Sequence, residues 1–303
     1  MIAIAAFFSL WPETADTFLT VPNLRVLAAN QAVLGIIALG ALVPLICGDF
    51  DLSVGAIAGL SAVFVADALS NDTPLAYGII LGIALGASAG LINALLVTRG
   101  GVNGIITTLG TATVMSGIVS QKTGGTAVVS NIPAALTDFG SGTLLGVPGP
   151  DWVLAAVTAA LYFALTQTGT GRSIYALGSN STAARLIGLR TNVLLGFAFV
   201  LSGALSAIGG LVQIARAGGA DPRVGGSFTL PALAAAFLSV AAVKPGQYNV
   251  GGTLVAIFFL AVLNNGLNLA GAPPYVASYV NGAALILGVG LAAYLGRRRA
   301  GYA

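Results

Sequence analysis

Long apolar runs, separated by short polar breaks, fill almost the whole chain. The first run, Ile2 to Trp11, is about half as long as a bilayer-spanning helix, which needs roughly 20 apolar residues. Nine longer runs follow at 24–46, 52–69, 75–97, 103–119, 151–167, 191–214, 228–243, 249–269 and 275–295. Together they predict an all-α fold, a polytopic membrane bundle of about ten transmembrane helices.

Composition narrows the class further. Of the 303 residues, 57% are hydrophobic and 7% are charged, and the mean hydropathy is +0.96. These values exclude an ordinary soluble domain and leave no room for a second one, so residues 1–303 are expected to form a single transmembrane domain. Because histidine is absent and Cys47 is the single cysteine, we expect no metal site, no histidine proton relay and no intrachain disulfide.

The basic residues indicate an orientation. With ten spans and both termini inside, eight of the twelve Lys and Arg residues fall on the inner side, in agreement with the positive-inside rule. The inner set is Arg99, Arg172, Arg185, Arg190, Lys244, Arg297, Arg298 and Arg299. The net charge of +3 therefore serves topology, and we expect membrane lipids but no nucleic acid as partners.

Three segments differ from the regular spans. Residues 1–23 are interpreted as a partial first span followed by an interfacial segment. Residues 120–150, rich in Gly, Ser, Thr and Pro, form the longest polar interval and are expected outside, with small elements of their own. Residues 168–190 form the long inner loop and hold three arginines, so a cytoplasmic partner is expected there.

A weak internal repeat is also present. The stretch beginning at Gly90 resembles the one beginning at Val262, an offset of 172 residues. Such an offset covers five spans, so the two halves would have opposite orientations, as inverted transporter repeats do. Chance similarity is the alternative.

Asp49 and Asp51 are unusual in so apolar a chain. Asp51 precedes an apolar run and is expected to be the N-cap of its helix, where free N–H groups stabilise a carboxylate. A purely structural cap is the alternative to a ligand contact. Asp49 fits a cap less well, so it is expected to face a wet pathway or to pair with an arginine.

Polar side chains within two other runs suggest a pathway. Asn264 and Asn268 are four residues apart on one helical face, with Asn265 beside them, and amides at this depth either bind neighbouring helices or line a polar path. A second strip holds Asn103, Thr107, Thr108 and Thr111, for which hydrogen bonds to the preceding turn are the alternative. The candidate substrate pathway is Asp49, Asp51, Ser53, Asn103, Thr107, Thr108, Asn264, Asn265 and Asn268.

The sequence contains no phosphate-binding G-x-x-x-x-G-K-[S/T] loop, no H-E-x-x-H and no G-x-S-x-G. Such motifs would indicate nucleotide hydrolysis, a metalloprotease or a serine hydrolase. An ion-coupled carrier would need an ionisable pair in mid-membrane, and only Asp49 and Asp51 qualify, both poorly. A pore powered by a separate subunit is therefore favoured, and we expect the chain not to be an enzyme.

Six segments, in order, resemble the permease subunits of ribose-type ABC importers. They are Phe18-Leu-Thr-Val-Pro-Asn-Leu24, Gly48-Asp-Phe-Asp-Leu-Ser-Val-Gly55, Thr107-Thr-Leu-Gly-Thr111, Gly171-Arg-Ser-Ile-Tyr-Ala-Leu-Gly-Ser-Asn180, Ala183-Ala-Arg-Leu-Ile-Gly188 and Leu263-Asn-Asn-Gly-Leu-Asn-Leu269. The resemblance implies a bacterial inner-membrane permease that imports a monosaccharide. Its implied partners are an ABC ATPase, a periplasmic or lipoprotein solute-binding protein, and a second permease copy or homologue. No cofactor is expected on this chain, since ATP and Mg would be bound by the ATPase.

The resemblance also implies where the ATPase docks. The matching segment contributes Gly171, Arg172, Ala176, Leu177, Gly178, Asn180, Ala183, Ala184, Arg185 and Gly188. Asp51 matches the family pattern, whereas Asp49 stands where the family usually has glycine or serine, and Ser239 to Tyr248 replace a glycine-rich loop. These departures leave the solute open: a branched-chain amino acid, a nucleoside or a signalling furanose are alternatives to a monosaccharide, and an ion-coupled carrier is the alternative class.

Overall fold

The computed structural model describes residues 1–300, and the surroundings of side chains as far as Leu295. The arginines at 297–299, which the topology argument placed inside, lie beyond the described side chains. The helices are α1 (Ile2–Leu10), α2 (Ala15–Phe18), α3 (Val21–Ile46), α4 (Val54–Ser70), α5 (Leu75–Thr98), α6 (Gly104–Thr123), α7 (Ala134–Ser141), α8 (Gly149–Gln167), α9 (Gly169–Ser179), α10 (Ser181–Leu186), α11 (Thr191–Ala217), α12 (Val224–Ser227), α13 (Thr229–Leu238), α14 (Val250–Leu269) and α15 (Tyr275–Ala300).

The helical prediction is confirmed, but the count of about ten spans is not. Within the described residues, seven helical segments are long and apolar enough to cross a membrane. They are α3, α5, α8, α11, the stretch Val224–Ala241, α14 and α15 as far as Leu295. The others fall short for physical reasons: α1 has 9 residues, α4 has 17, and the 20 residues of α6 include many threonines and serines.

The polar interval 120–150 has small elements of its own, as predicted. It contains α7 and a two-stranded antiparallel hairpin of β1 (Thr143–Leu144) and β2 (Val147–Pro148). The chain reverses between the strands at Leu145 and Gly146, both with positive φ. Val128 also pairs with Ala220, which fixes this interval to the segment that follows α11.

α3 forms the centre of the bundle. Of its most apolar 18 residues 72% are buried, against 11% for α15, so α3 is surrounded by protein while α15 lies at the periphery. Thr20 caps its start by accepting from Asn23 N–H, and Pro22 lies in the first turn, where its missing N–H costs nothing. Gly48, at φ +89°, ends the helix, and Asp49 N–H donates to the carbonyl of Pro44 at 3.0 Å.

Glycines allow α5 and α11 to approach closely. A Cβ on Gly86 would overlap the carbonyl oxygen of Gly203, and one on Gly90 would overlap that of Phe199. Small residues at such crossings let backbones come into direct contact, which is how apolar helices associate in a membrane. The glycines of α5 and α11 therefore act as packing residues at this crossing.

The helix bounds recur along the chain. Adding 172 to the bounds of α3 gives 193–218, against 191–217 for α11, and α5 gives 247–270, against 250–269 for α14. The same shift carries α4 onto 226–242, the region of α12 and α13, and α6 onto 276–295, within α15. Contacts follow the same exchange, because α4 packs on α11 and α13 packs on α3.

Candidate functional site

The break between α3 and α4 places Asp51 inside the bundle. Residues 47–53 are not helical, and α4 begins at Val54. Asp51 is 0% exposed, and its carboxylate has three hydrogen-bond donors around it. Oδ1 accepts from the N–H of Ser53 at 2.9 Å and from its hydroxyl at 2.5 Å, and Oδ2 accepts from the hydroxyl of Ser202 at 2.7 Å.

The hydrogen bonds continue into α5 and α6. Asn93 Nδ2 donates to the hydroxyl of Ser53 at 2.8 Å, and Asn93 Oδ1 accepts from the hydroxyl of Thr111 at 2.7 Å. Asp51, Ser53, Asn93, Thr111 and Ser202, here called the Asp51 cluster, thus connect the α3–α4 break with α5, α6 and α11. A buried polar network stabilises a protein only when its donors and acceptors are paired. Each hydrogen bond of the Asp51 cluster pairs a donor with an acceptor.

The cluster lies well inside the length of the helices. Ser202 is eleven residues beyond the start of α11, which corresponds to about 16 Å along the helix axis. A carboxylate at this depth is held by hydroxyl and amide donors, with no cation among its hydrogen-bond partners.

The prediction that Asp51 is the N-cap of α4 is wrong by two residues. The N-cap of α4 is Ser53, whose side chain makes no capping bond. Leu52 and Ser53 form a turn before the helix, so the carboxylate of Asp51 accepts from the N–H of Ser53 rather than from the first helical turn. The carboxylate still binds backbone N–H just before α4, and its third hydrogen bond, from Ser202, reaches across to α11.

Asp49 occupies a different environment, half-buried at the start of α6. Its Oδ1 accepts from Phe50 N–H at 2.8 Å, and its carboxylate lies directly against Gly104, the first residue of α6. The positive end of the α6 dipole favours a carboxylate there. In the part of the chain whose side chains are described, the one salt bridge joins Lys122 to Asp67, so no described arginine pairs with Asp49.

The polar strip on α6 divides into three roles. Asn103 is exposed and caps α6 by accepting from the N–H groups of Ile105 and Ile106. Thr108 is buried, donates one turn back to the carbonyl of Gly104 at 2.8 Å and accepts from Leu52 N–H, so it joins α6 to the α3–α4 break. The hydroxyl of Thr107 is buried without a partner.

The three α14 asparagines do not share one surface. Asn265 exchanges two hydrogen bonds of 3.0 Å with Asn23, which ties α14 to the start of α3. Asn268 is exposed at the end of the helix. Asn264 lines an internal cavity, 3.5 Å from Asn281. The structure therefore separates these amides from the Asp51 cluster instead of bringing all candidate pathway residues together.

The segment 168–190 is helical rather than an open loop. Thr168 caps α9 by accepting from Gly171 N–H at 3.0 Å, and Gly171 packs directly on the carbonyls that end α8. Ile174 and Leu177 are buried in the main core, which anchors α9. The hydroxyl of Tyr175 donates to the carbonyl of Tyr248 at 3.1 Å, and burial raises the pKa of Tyr175 to about 12, so this donor stays protonated at neutral pH.

α10 presents an uncovered surface at the end of this segment. Asn180 caps α10 by accepting from Thr182 and Ala183 N–H groups, and Ala184 is the buried contact. Leu186 and Ile187 are 84% and 74% exposed beside the exposed Arg185, and Gly188 turns the chain at φ +84°. Arg172 is also exposed, so the surface is both apolar and basic.

Sequence reasoning missed several residues of both regions. Asn93, Thr111 and Ser202 were not predicted to join Asp51, and a serine or asparagine alone within an apolar run gives no signal of its partner. Leu186 and Ile187 were part of a quoted motif but not predicted as contact residues. Their signal was available, since two adjacent large apolar residues beside an arginine are unusual in a loop that is expected to be exposed.

Apolar membrane-length helices around a buried polar cluster define a polytopic α-helical membrane protein. Residues 24–289 match the model of the family described as branched-chain amino acid transport system / permease component, so the chain belongs to this family of transport permeases. The predicted resemblance to importer permeases is thereby confirmed.

Curated relatives agree with this assignment. The chain is 31% identical over 292 residues to the ribose import permease protein RbsC of Escherichia coli K12, covering 95% of this chain and 91% of that protein. It is 34% identical over 274 residues to RbsC of Bacillus subtilis 168, covering 90% and 85%. It is also 33% identical over 259 residues to the autoinducer 2 import system permease protein LsrD of Yersinia enterocolitica, covering 84% and 78%. No solved structure matches the chain.

Proposed function

We propose that this chain is the membrane permease subunit of an ABC importer for a monosaccharide or a similarly small neutral solute. The observation that carries the proposal is α10, whose exposed Arg185, Leu186 and Ile187 form a surface for another protein, while α9 is anchored in the core. The relatives named as ribose and autoinducer 2 import permeases support the solute class.

The partners follow from this role. A cytoplasmic ABC ATPase binds ATP and Mg and contacts α9 and α10, a periplasmic or lipoprotein solute-binding protein delivers the solute, and a second permease copy or homologue completes the pore. This chain itself holds no nucleotide and catalyses no reaction. Exposed apolar side chains beside an arginine suit such a docking contact, because the apolar groups are desolvated and the guanidinium finds an acidic partner.

The proposed arrangement in the bacterial inner membrane has both termini inside and about ten spans, with α1 as a partial first span and with α4 and α6 as spans in addition to the seven membrane-length segments. The two sets of helices related by the 172-residue shift form an inverted repeat. In this arrangement α9 and α10 face the cytoplasm, and 120–150 faces outside.

Mechanistically, nucleotide binding moves the two ATPase subunits together and pulls on α10. The movement passes through α9 to the end of α3 and so to the Asp51 cluster, which joins four helical segments. Differential binding of nucleotide to the two states supplies the free energy of the shift, with no ion gradient required.

The decisive experiment is ATP-driven uptake by the reconstituted complex in proteoliposomes. We expect uptake of a pentose such as D-ribose that requires ATP, the ATPase and the solute-binding protein, and that survives a protonophore. Uphill uptake by the purified chain alone, or uptake abolished by the protonophore with ATP present, would establish an ion-coupled carrier instead.

A second candidate solute is a branched-chain amino acid, which the family description favours. Competition separates the two. Inhibition of pentose uptake by other pentoses but not by leucine supports the sugar, and the reverse pattern supports the amino acid.

A further inference from the structure

A polar cavity lies among α3, α11, α13, α14 and α15, apart from the Asp51 cluster. Its volume is about 370 Å³, within the range of small-molecule sites. The polar lining consists of Asn30, Gln31, Gln213, Arg216, Ser227, Asn264 and Asn281. Its position near the C-terminal ends of α11 and α14 places it in the outer half of the proposed arrangement.

Two side-chain oxygens in this cavity have no hydrogen-bond partner. Gln31 Oε1 and Asn264 Oδ1 are buried, and neither accepts a hydrogen bond. Asn264 Nδ2 makes one long contact, 3.5 Å to Asn281 Oδ1. Because buried acceptors without donors are rare in folded proteins, this pair points to a ligand that brings donors.

The charges favour a neutral ligand. The lining contains no carboxylate, so no ion pair is available there for the ammonium group of an amino acid. Arg216 is the cation, and it is engaged twice: its guanidinium donates to Asn30 Oδ1, and Asp151 interacts with it electrostatically. Amides and a serine offer both donors and acceptors, which is what hydroxyl groups require.

Apolar surface completes the site. Leu34, Phe228 and Leu260 line the same cavity. A cyclic sugar has C–H faces as well as hydroxyl edges, so a lining that alternates amides with an aromatic ring and aliphatic groups suits both.

The 172-residue shift explains why the cavity is not filled from within. It carries Asn93 onto Asn265, the neighbour of Asn264, and Asn30, which lines the cavity, onto Ser202, so the cavity lies beside the counterpart of the Asp51 cluster. Asp51 itself corresponds to Arg223, which is exposed. The buried carboxylate that fills the first cluster therefore has no counterpart in the second.

We propose that this cavity binds a neutral, polyhydroxylated solute of about pentose size within a single permease chain, with Gln31 and Asn264 accepting hydrogen bonds from its hydroxyls. The inference rests on the proposed function for its physiological meaning. Its ligand class, however, follows from the lining, and binding can be measured on the full chain without transport.

The first test is protection of a cysteine at the mouth of the cavity. Since Cys47 is the single native cysteine, Ser227→Cys in a Cys47→Ala background gives one reactive site, and Ser141→Cys in the exposed outer interval is the matched control. The purified full-length variants react with a charged methanethiosulfonate in the presence of D-ribose, D-xylose or leucine. We expect the pentoses to slow modification at 227 by about fivefold and not at 141.

The second test compares substitutions inside the cavity with one outside it. Asn264→Leu and Gln31→Leu are expected to remove protection at 227 and to lower ATP-driven pentose uptake by about tenfold. Asn71→Leu, exposed at the end of α4 and outside the candidate pathway, is expected to leave both unchanged.

The results separate this inference from the proposed function. Unprotected Ser227→Cys, or protection by leucine and not by pentoses, overturns the assignment of the cavity even where the wild-type complex transports a pentose. Protection that survives both leucine substitutions overturns the roles of Gln31 and Asn264. Failure of the wild-type complex to use ATP for uptake counts against the proposed function, while pentose protection at 227 would still support the site.

Discussion

Gly178 of α9 lies directly against the backbone carbonyl of Ile46, the last residue of α3, and a Cβ on Gly178 would overlap that oxygen. The break that holds Asp51 begins at the next residue. The two backbones touch without an intervening side chain, so a displacement of α9 reaches the end of α3 directly. Packed backbones have discrete arrangements rather than soft ones, which suits a coupling contact.

Gly178→Ala should uncouple the segment from α3. The added methyl must push α9 away from the Ile46 carbonyl, and overpacking of this kind costs about 1–3 kcal/mol. We expect uptake by the reconstituted complex to fall by about tenfold while ATP hydrolysis by the bound ATPase continues. Gly169→Ala is the matched control, because nothing lies within 4 Å of its Cβ position. Equal uptake by the two variants would contradict the coupling role of this contact.

Substitutions of Asp51 distinguish a structural role of its carboxylate from a role in ion coupling. Asp51→Ala leaves the hydroxyls of Ser53 and Ser202 without their acceptor, and we expect a loss of about 2–3 kcal/mol, seen as a lower melting temperature in detergent. Asp51→Asn keeps the shape and one acceptor oxygen, and the serine hydroxyls can rotate to accept from its amide.

We therefore expect Asp51→Asn to retain ATP-driven uptake and most of the stability. Asp138→Asn, at an exposed position in the polar interval 120–150, controls for the loss of a charge. If Asp51→Asn folds normally yet abolishes uptake, the negative charge itself is required, and the ion-coupled alternative regains support.

Arg185→Glu should weaken binding of the ATPase. The side chain is exposed beside Leu186 and Ile187, so reversing its charge replaces an attraction for acidic groups by repulsion without disturbing the core of the chain. We expect co-purification of the ATPase to fall by about tenfold, with an unchanged melting temperature of the permease. Arg99→Glu, also exposed and outside α9 and α10, should bind normally. Unaltered binding by Arg185→Glu would remove α10 from the interface.

The sequence alone predicts much of the helical pattern, because apolar runs and their polar breaks reflect the length that a membrane demands. The predicted runs agree closely with the helices at α5, where 75–97 was predicted and Leu75–Thr98 is helical, and at α14, where 249–269 was predicted and Val250–Leu269 is helical. The run 228–243 was predicted as one span, yet it contains α13 and a short 3-10 turn at Ser239–Ala241, and the separate helix α12 precedes it. Hydropathy does not detect such breaks, because the residues on both sides of them are apolar.

The candidate sites were predictable only in part, for a related reason. Asp49 and Asp51 stand out by their charge, and the structure places both at the α3–α4 break, as their position between two runs required. Their partners could not be predicted, because Ser202 is 151 residues away and its register on α11 depends on how the glycines of α5 and α11 meet. Asn264 and Asn268 share a helical face by spacing, but burial differs along the helix, and only Asn264 reaches the cavity.

Cysteine labelling in intact cells tests the proposed orientation. Ser130→Cys lies in the polar interval 120–150 and Ser179→Cys at the end of α9, both at exposed positions, and Cys47→Ala removes the single native thiol. A membrane-impermeant maleimide should label position 130 in intact cells and position 179 only after permeabilisation, because a charged reagent does not cross the apolar bilayer. Ser130→Cys and Ser179→Cys serve as controls for each other, since complete labelling of both is expected in permeabilised cells. Labelling of position 179 from outside would invert the topology, and α10 could then not be the surface that a cytoplasmic ATPase contacts.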